Sequence, residues 1–212
     1  MTRLATEKET ARLLQKYGIP RVPEARAKDL TGLLAASRRL KSPWVLKIIS
    51  PQATHKTDRG LVKLNLHNEG ELRTAFVEMR KKARGLPIES FVLQEQKKGV
   101  EFIVGGMEDP VFGNVLVFGL GGVFVELLKE RALRVLPITR PEMKRMLYET
   151  KAAAFLRGFR NQKVSEKRLL YVLERTARLL EDERDVVELD LNPVLALGND
   201  AWVADARIVW RK

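Results

Sequence analysis

The sequence predicts an α+β protein made of two α+β subdomains, approximately residues 1–92 and 93–212. Segments with apolar residues three and four apart, typical of helices, recur between segments that alternate in polarity like strands. Glycine and proline residues stand between these segments. Apolar residues make up 45% of the 212 residues, enough to build a core. We expect the subdomains to meet near residue 93 and form a cleft, the usual place for a small ligand.

The first half of the chain shows both kinds of periodicity. Leu13, Leu14 and Tyr17 supply the apolar side of the first helix, which Gly18 ends. Asp29 is placed to cap the second helix. The predicted helices are 6–17, 29–40 and 69–84, and the predicted strands are 21–25, 44–49, 61–66 and 91–95.

The second half begins with strands and ends with helices and further strands. A glycine-rich segment at 119–122 follows the second of these strands. Near the C terminus, Pro193 predicts a turn at Asn192 between two short strands. The predicted strands are 99–107, 114–118, 132–136, 186–191, 194–196 and 206–210, and the predicted helices are 141–156 and 165–181.

Composition and charge distribution exclude or disfavour several classes of function. The net charge is +12, but lysine and arginine alternate with acids along helical segments and no aromatic stripe lies between them. This distribution favours solvated helix faces over nucleic-acid binding, with attraction to an acidic partner or a phosphorylated ligand as the alternative. No apolar run reaches the roughly 18 residues that span a bilayer, so we expect no membrane contact and a cytoplasmic location. The absence of cysteine excludes thiolate catalysis and thiolate metal sites.

The loop 54–60 carries the most distinctive chemistry of the chain. His55 lies between glycine and proline signals, beside Lys56, Asp58 and Arg59. A neutral imidazole is a nucleophile at neutral pH, and the neighbouring cations offset the charge of an incoming phosphoryl group. The loop therefore indicates phosphoryl transfer, with a solvated histidine as the alternative.

Further residues indicate a nucleotide site. Lys47 lies in an apolar strand, where a ligand phosphate or a salt bridge would satisfy its charge. Gln94 and Glu95 end a strand at the expected subdomain boundary, a position suited to an adenine edge and a ribose. Gly121 and Gly122 favour either a tight turn or a phosphate loop.

Acidic residues near the C terminus suggest a magnesium site. Glu188 and Asp190 lie two apart on one strand face, Asn192 follows, and Asp205 precedes Arg207 on the next strand. Mg²⁺ prefers oxygen ligands and retains several waters, so one amide carbonyl and one carboxylate suffice to hold a Mg-nucleotide. Structural capping is the alternative role of these side chains.

Together these motifs resemble a known family along nearly the whole chain and in the same order. The matching motifs are Lys47, the loop 50–60, the runs 109–113 and 118–126, the segment 188–193 and the segment 205–208. They resemble the β subunit of ADP-forming acetyl-CoA synthetase, in the nucleoside-diphosphate-forming acyl-CoA synthetase superfamily related to succinyl-CoA synthetase.

The resemblance implies an ATP-grasp fold in which two α+β subdomains clasp ATP or ADP. It implies the reversible reaction of acyl-CoA, ADP and phosphate to a carboxylic acid, CoA and ATP, through phosphohistidine intermediates. It also implies a partner α subunit that carries CoA binding and acyl-phosphate chemistry, in a hetero-oligomer such as α2β2. A catalytically silent ATP-binding regulatory subunit and another ATP-grasp carboxylate ligase are the alternatives.

The resemblance assigns a role to individual residues. His55 is implied as the phosphohistidine, and Asn192 and Asp205 as ligands of Mg²⁺. Supporting roles fall to Asp58, Glu126, Asp190 and Arg207. The implied nucleotide-binding residues are Lys47, Lys56, Gln94, Glu95, Glu101, Gly121 and Gly122.

Overall fold

The computed structural model describes residues 1–50, 60–122 and 130–212, and shows the α+β class expected from the sequence. Its helices are α1 (Glu7–Lys16), α2 (Leu30–Ser37), α3 (Glu69–Lys82), α4 (Arg140–Glu149), α5 (Ala153–Leu156) and α6 (Glu166–Asp182). Its strands are β1 (Thr2–Leu4), β2 (Glu24–Ala27), β3 (Trp44–Ile49), β4 (Val62–Leu66), β5 (Ser90–Glu95), β6 (Val100–Asp109), β7 (Gly113–Leu120), β8 (Arg131–Val135), β9 (Val186–Leu197), β10 (Asp200–Val203) and β11 (Ala206–Arg211).

The chain divides into two compact units. Unit 1 contains Met1–Arg21 and Lys98–Lys212, and unit 2 contains Val22–Lys97. This division differs from the predicted 1–92 and 93–212 at the N terminus, because β1 pairs with β11 and α1 packs on the core of unit 1. The first 21 residues therefore belong with the C-terminal half.

Unit 1 is a sheet covered by helices on one face. Among the described residues the sheet has seven strands in the order β1-β11-β9-β6-β7-β8, with β10 paired to β9. Its core joins strand residues such as Phe102 and Phe118, whose ring centroids are 5.8 Å apart, to the apolar sides of α1, α4, α5 and α6. Helix α6 buries Leu169, Leu173 and Leu180 at helical spacing, as its sequence period predicts. The functional residues of unit 1 lie on the other face of this sheet or at its strand ends.

Unit 2 is a smaller antiparallel sheet with the described strands in the order β2-β5-β3-β4. Leu46 and Ile48 on β3 pack with Leu72 and Met79 of α3 in a separate core. Successive strand residues point to opposite faces. Lys47, between Leu46 and Ile48, therefore lies on the face away from α2 and α3.

Helix starts and the central strand of unit 2 agree closely with the sequence. The predicted strand 44–49 is β3. Thr6 caps α1 in a reciprocal capping box with Glu9, and the Asp29 carboxylate accepts the Gly32 N–H at 2.8 Å. The strand predicted at 21–25 lies instead at Glu24–Ala27, and Arg21 forms an isolated β-bridge with Val203.

The predicted turn at Asn192 is wrong. Strand β9 continues through Asn192 and Pro193 to Leu197. Proline is tolerated because it lies where β9 changes partner: Leu191 is paired to β11 and Val194 to β10. On the other side of β9, a register shift between Phe102 and Val104 of β6 accommodates the irregularity.

The predicted single helix 141–156 is also wrong, because α4 and α5 are separate. Thr150 adopts an extended backbone, and its buried hydroxyl donates to the Leu147 carbonyl at 3.3 Å. A threonine that bonds locally in this way competes with helix continuation. Strands β1 and β10, of three and four residues, were not predicted.

No helix in the described part of the chain is long and apolar enough to cross a membrane.

Candidate functional site

Four candidate site residues, and Arg59 near them, lie outside the described part of the chain. The four are His55, Lys56 and Asp58 in the segment 51–59, and Glu126 in the segment 123–129. The other candidates are described within their own units.

In unit 2, Lys47 and Gln94 lie on the same sheet face. Lys47 is paired with Val92 and Val45 with Gln94 across β3 and β5, so these four side chains project from the face away from the helices. Lys47 is half-buried, and Gln94 is only 3% exposed. This face thus combines a cationic group and an amide with apolar valines, the mixture of polar and apolar groups that a nucleotide requires.

The sequence did not identify Glu24, which lies beside Gln94. Glu24 is the cross-strand partner of Gln94 on β2, and its Oε2 accepts from Gln94 Nε2 at 3.1 Å. The two residues are 70 positions apart in the chain, so only the strand register brings them together.

The Glu95 carboxylate points to the other face. Glu95 is paired with Trp44, which packs in the helix-covered core. Its Oε1 accepts the Lys41 backbone N–H at 3.0 Å, and its Oε2 accepts from Lys97 Nζ at 2.7 Å. The structure therefore does not bring the Glu95 carboxylate together with Lys47 and Gln94.

These contacts favour the ionised form of the Glu95 side chain. Burial acts to raise its pKa, but the hydrogen bonds from Lys97 and Lys41 outweigh burial, and the pKa lies below its ordinary value. The carboxylate holds the end of β5 to the residues that follow it and to the loop before β3.

We expect Glu95→Gln to lower the free energy of unfolding by roughly 1–3 kcal/mol, because the buried hydrogen bonds lose their charged acceptor. The lowered pKa makes this contribution complete above the unfolded-state pKa of about 4.3, and it is lost as the pH falls through the folded-state pKa. Urea unfolding at pH 7 and pH 3 measures the difference.

The exposed Glu89→Gln variant is the control for this experiment. Equal stability of Glu95→Gln and wild type at pH 7, with weaker nucleotide binding, would assign the carboxylate to the ligand instead.

In unit 1, Glu101 lies against the two glycines predicted to bind nucleotide. The Gly121 N–H donates to the Glu101 carbonyl at 2.7 Å. Gly122 has φ +63°, and a Cβ there would lie 2.5 Å from Glu101 Oε2. The left-handed backbone favours glycine at 122, whereas the Glu101 carboxylate is the end of a flexible side chain that could move aside.

Asn192 and Asp205 are brought together, as their predicted role requires. The Asn192 N–H donates to the Asp205 carbonyl at 3.1 Å, where β9 and β11 pair. Asp205 Oδ1 accepts the Ala206 N–H at 3.0 Å, which orients the carboxylate. An amide and a carboxylate at adjoining strand positions supply the oxygen donors that a hard divalent cation prefers.

Acidic residues continue from this pair along β9. Asp190 is two residues before Asn192 on the same sheet face and is paired with Arg207 of β11. Burial raises the pKa of Asp190, and the carboxylates of Glu188 and Asp205 raise it further. Arg207 lies 3.8 Å from Glu188 and supplies a positive charge beside these acids.

Protein acids alone do not form a closed cage here. In the described ranges, no group of three or more histidine, cysteine, aspartate or glutamate residues has the geometry to hold a metal ion. The donor set of Asn192 and Asp205 instead fits a cation that completes its coordination with water and phosphate oxygens.

Comparison with known proteins gives a consistent family. An ATP-grasp domain model matches residues 1–209. The β subunit of acetate–CoA ligase [ADP-forming] II from Pyrococcus furiosus is 35% identical over 212 residues, and the match covers 96% of this chain and 90% of the relative.

Solved structures of a Ca. Korarchaeum cryptofilum protein are also similar to this chain. The dinucleotide forming acetyl-coenzyme A synthetase 1 in complex with coenzyme A, Ca-AMPCP and HgCl+ superposes with a TM-score of 0.92 at 38% identity, covering 99% of this chain and 93% of that chain. A second complex of that protein contains coenzyme A and Mg-AMPPCP, with its phosphohistidine segment pointing towards the nucleotide binding site; it gives a TM-score of 0.85 at 37% identity, with coverage of 98% and 93%. The fold described here is therefore an ATP-grasp fold, and the chain belongs to the ATP-grasp family that includes the β subunits of ADP-forming acetate–CoA ligases.

Proposed function

We propose that this chain is the nucleotide-binding β subunit of an ADP-forming acyl-CoA synthetase, with acetyl-CoA as the representative substrate. The reaction converts acyl-CoA, ADP and phosphate to the carboxylic acid, CoA and ATP. The pairing of Asn192 with Asp205, in a chain that matches the family over residues 1–209, is the observation that carries the proposal.

The residues of unit 2 bind the nucleotide. Lys47 provides a charge-assisted contact to phosphate from the sheet face opposite α2 and α3, and Lys56 is proposed to bind the same phosphates. Gln94 lies two residues further along that face, and it is proposed to contact the base. Glu101, Gly121 and Gly122 are further candidates for nucleotide binding in this proposal.

Asn192 and Asp205 hold Mg²⁺ through their side-chain oxygens, and Asp190 and Arg207 support them. Magnesium supplies charge neutralisation for the phosphate chain when it is bound. The half-buried Asp190 adds negative potential to this site, which strengthens the attraction for a divalent cation.

His55 transfers the phosphoryl group in this proposal. In the direction of ATP formation, the P–N bond of phosphohistidine breaks and its electron pair returns to the imidazole. A bond forms between phosphorus and a terminal oxygen of ADP. Asp58 and Glu126 are proposed to orient the histidine, and phosphoryl transfer of this kind depends mainly on positioning and electrostatic stabilisation.

A partner subunit completes the enzyme. The Pyrococcus relative is named as a β subunit, which implies a complex with another subunit. We propose an α subunit that binds CoA and forms the acyl phosphate, in a hetero-oligomer such as α2β2.

The proposal is tested by reconstitution with such an α subunit. ATP formation from acetyl-CoA, ADP and phosphate is expected from the mixture and from neither subunit alone. Binding of nucleotide without turnover in the assembled complex would favour a silent regulatory subunit. Turnover by the isolated chain with ATP and a free acid would favour another carboxylate ligase.

Mg-ADP or Mg-ATP is expected to stabilise the isolated chain against thermal unfolding. A ligand present at about 100 times its Kd, and bound only by the folded state, adds about 2.7 kcal/mol. Lys47→Ala is expected to weaken binding by roughly 1.5–3 kcal/mol through loss of a phosphate contact. Differential scanning calorimetry with and without millimolar nucleotide measures both effects, and an unchanged melting temperature for the wild type would contradict the nucleotide site.

A further inference from the structure

Arg131, at the start of β8, lies on the same sheet face of unit 1 as the proposed magnesium ligands. The next residue, Ala132, is buried in the helix-covered core, so the Arg131 side chain projects from the opposite face, as that of Asn192 does. Arg131 is exposed, and in the described ranges no carboxylate forms a salt bridge with it. A guanidinium on this face is therefore available to an anionic ligand.

Strand register places Arg131 in one row with Asn192. Arg131 is paired with Gly119 of β7, and Gly119 is paired with Ile103 of β6. Ile103 in turn lies opposite Asn192 of β9, at the register shift between β6 and β9. Three strand spacings of about 4.8 Å separate the two ends of this row by about 14 Å. A cation at Asn192, the phosphate oxygens bound to that cation and a long arginine side chain together fill such a distance.

The glycine at 119 lets the arginine lean across the row. A Cβ on Gly119 would lie 3.3 Å from Arg131 Cγ, so the arginine stem lies against the backbone of β7. The charge also acts across the sheet: burial is the main cause of the raised pKa of Asp190, and Arg131 opposes this rise. The position and the charge of Arg131 both indicate a group that extends towards β9.

We infer that Arg131 binds the phosphates held by the cation at Asn192 and Asp205, at the end of the phosphate chain of the nucleotide. A guanidinium binds phosphate oxygens through paired charge-assisted hydrogen bonds. Together with the metal it neutralises the charge of the phosphates. The inference rests on the proposed function, which puts Mg-nucleotide at Asn192 and Asp205, and it adds a residue to which the sequence motifs assign no role.

The experiment measures Kd for Mg-AMPPCP and for AMP by isothermal titration calorimetry on the purified chain. AMPPCP keeps three phosphates but does not transfer the terminal one, and AMP lacks the phosphates that the metal holds. Arg131→Met is expected to weaken Mg-AMPPCP binding by at least about tenfold and to change AMP binding by less than about twofold. Arg131→Lys is expected to lie between the wild type and Arg131→Met, because it keeps the charge but loses the paired geometry.

The matched control is Arg145→Met, which removes one exposed arginine from α4 on the helix side of the sheet. It is expected to bind Mg-AMPPCP as the wild type does. Unchanged Mg-AMPPCP binding by Arg131→Met, an equal loss of AMP binding, or an equal loss in Arg145→Met would overturn the inference alone. Failure of the wild type to bind Mg-AMPPCP would overturn the proposed function as well.

Discussion

His55→Ala, mixed with an α subunit, is expected to lose ATP formation by orders of magnitude while it still binds nucleotide almost normally. The imidazole is proposed as the nucleophile that carries the phosphoryl group, and it is not the chief binding group. Loss of the nucleophile therefore removes turnover without a comparable change in Kd. Coupled assays of ATP formation and calorimetric titration with Mg-ADP measure the two quantities separately.

His67→Ala is the matched control, since the chain has only these two histidines. His67 is exposed, and its backbone N–H, which the substitution keeps, donates to Glu71 Oε2 at 2.7 Å. The control is expected to retain activity and to take up label from [γ-³²P]ATP in the complex, whereas His55→Ala takes up none at this subunit. Turnover of His55→Ala at the wild-type rate would contradict the proposed phosphoryl transfer and would indicate that His55 is a solvated loop residue.

Asp205→Ala is expected to remove most of the magnesium-dependent part of nucleotide binding. The substitution takes away one of the two proposed protein ligands and leaves the backbone bond between Asn192 and Asp205 unchanged. Removing the carboxylate also reduces the negative potential around Asp190, which weakens the attraction for a cation further. Titrations of ADP with Mg²⁺ and with EDTA give the magnesium-dependent part as the ratio of the two Kd values.

Asp200→Ala provides the comparison, because Asp200 is exposed on β10 and is not among the residues proposed to bind the cation. It is expected to keep the wild-type ratio. A full magnesium effect in Asp205→Ala would exclude this carboxylate as a ligand.

Local patterns predicted the elements that form through local forces. Strand β3 was predicted at its observed bounds because the short apolar run at 44–49 favours a strand. The cap at Asp29 was also predicted, because the capping hydrogen bond joins residues only three positions apart in the sequence. The break between α4 and α5 was not predicted. It depends on the extended backbone at Thr150 and on its buried hydroxyl, and tertiary packing decides whether that hydroxyl is buried.

The sequence predicted only those parts of the candidate site whose residues lie on strands that are close together in the chain. Asn192 and Asp205 flank a short hairpin, so their proximity follows from sequence spacing. Glu24 lies 70 residues from Gln94, and the face to which Glu95 points depends on its register with Trp44. A shift of one residue exchanges the two faces of a strand, so both features needed the assembled sheet.

The pairing of Thr2 with Arg211 has a consequence for biosynthesis. Unit 2 is one uninterrupted segment, so its core is complete once residue 97 has left the ribosome. The sheet of unit 1 is completed only by β9 and β11, which are translated after α6. Its nascent strands β6 and β7 pair with each other early, but β6 lacks its other neighbour β9, and Phe102 and Phe118 lack the cover of α6, until those segments are made. Slow synthesis of residues 140–211 would therefore prolong the exposure of aggregation-prone surface in unit 1, while unit 2 is already protected.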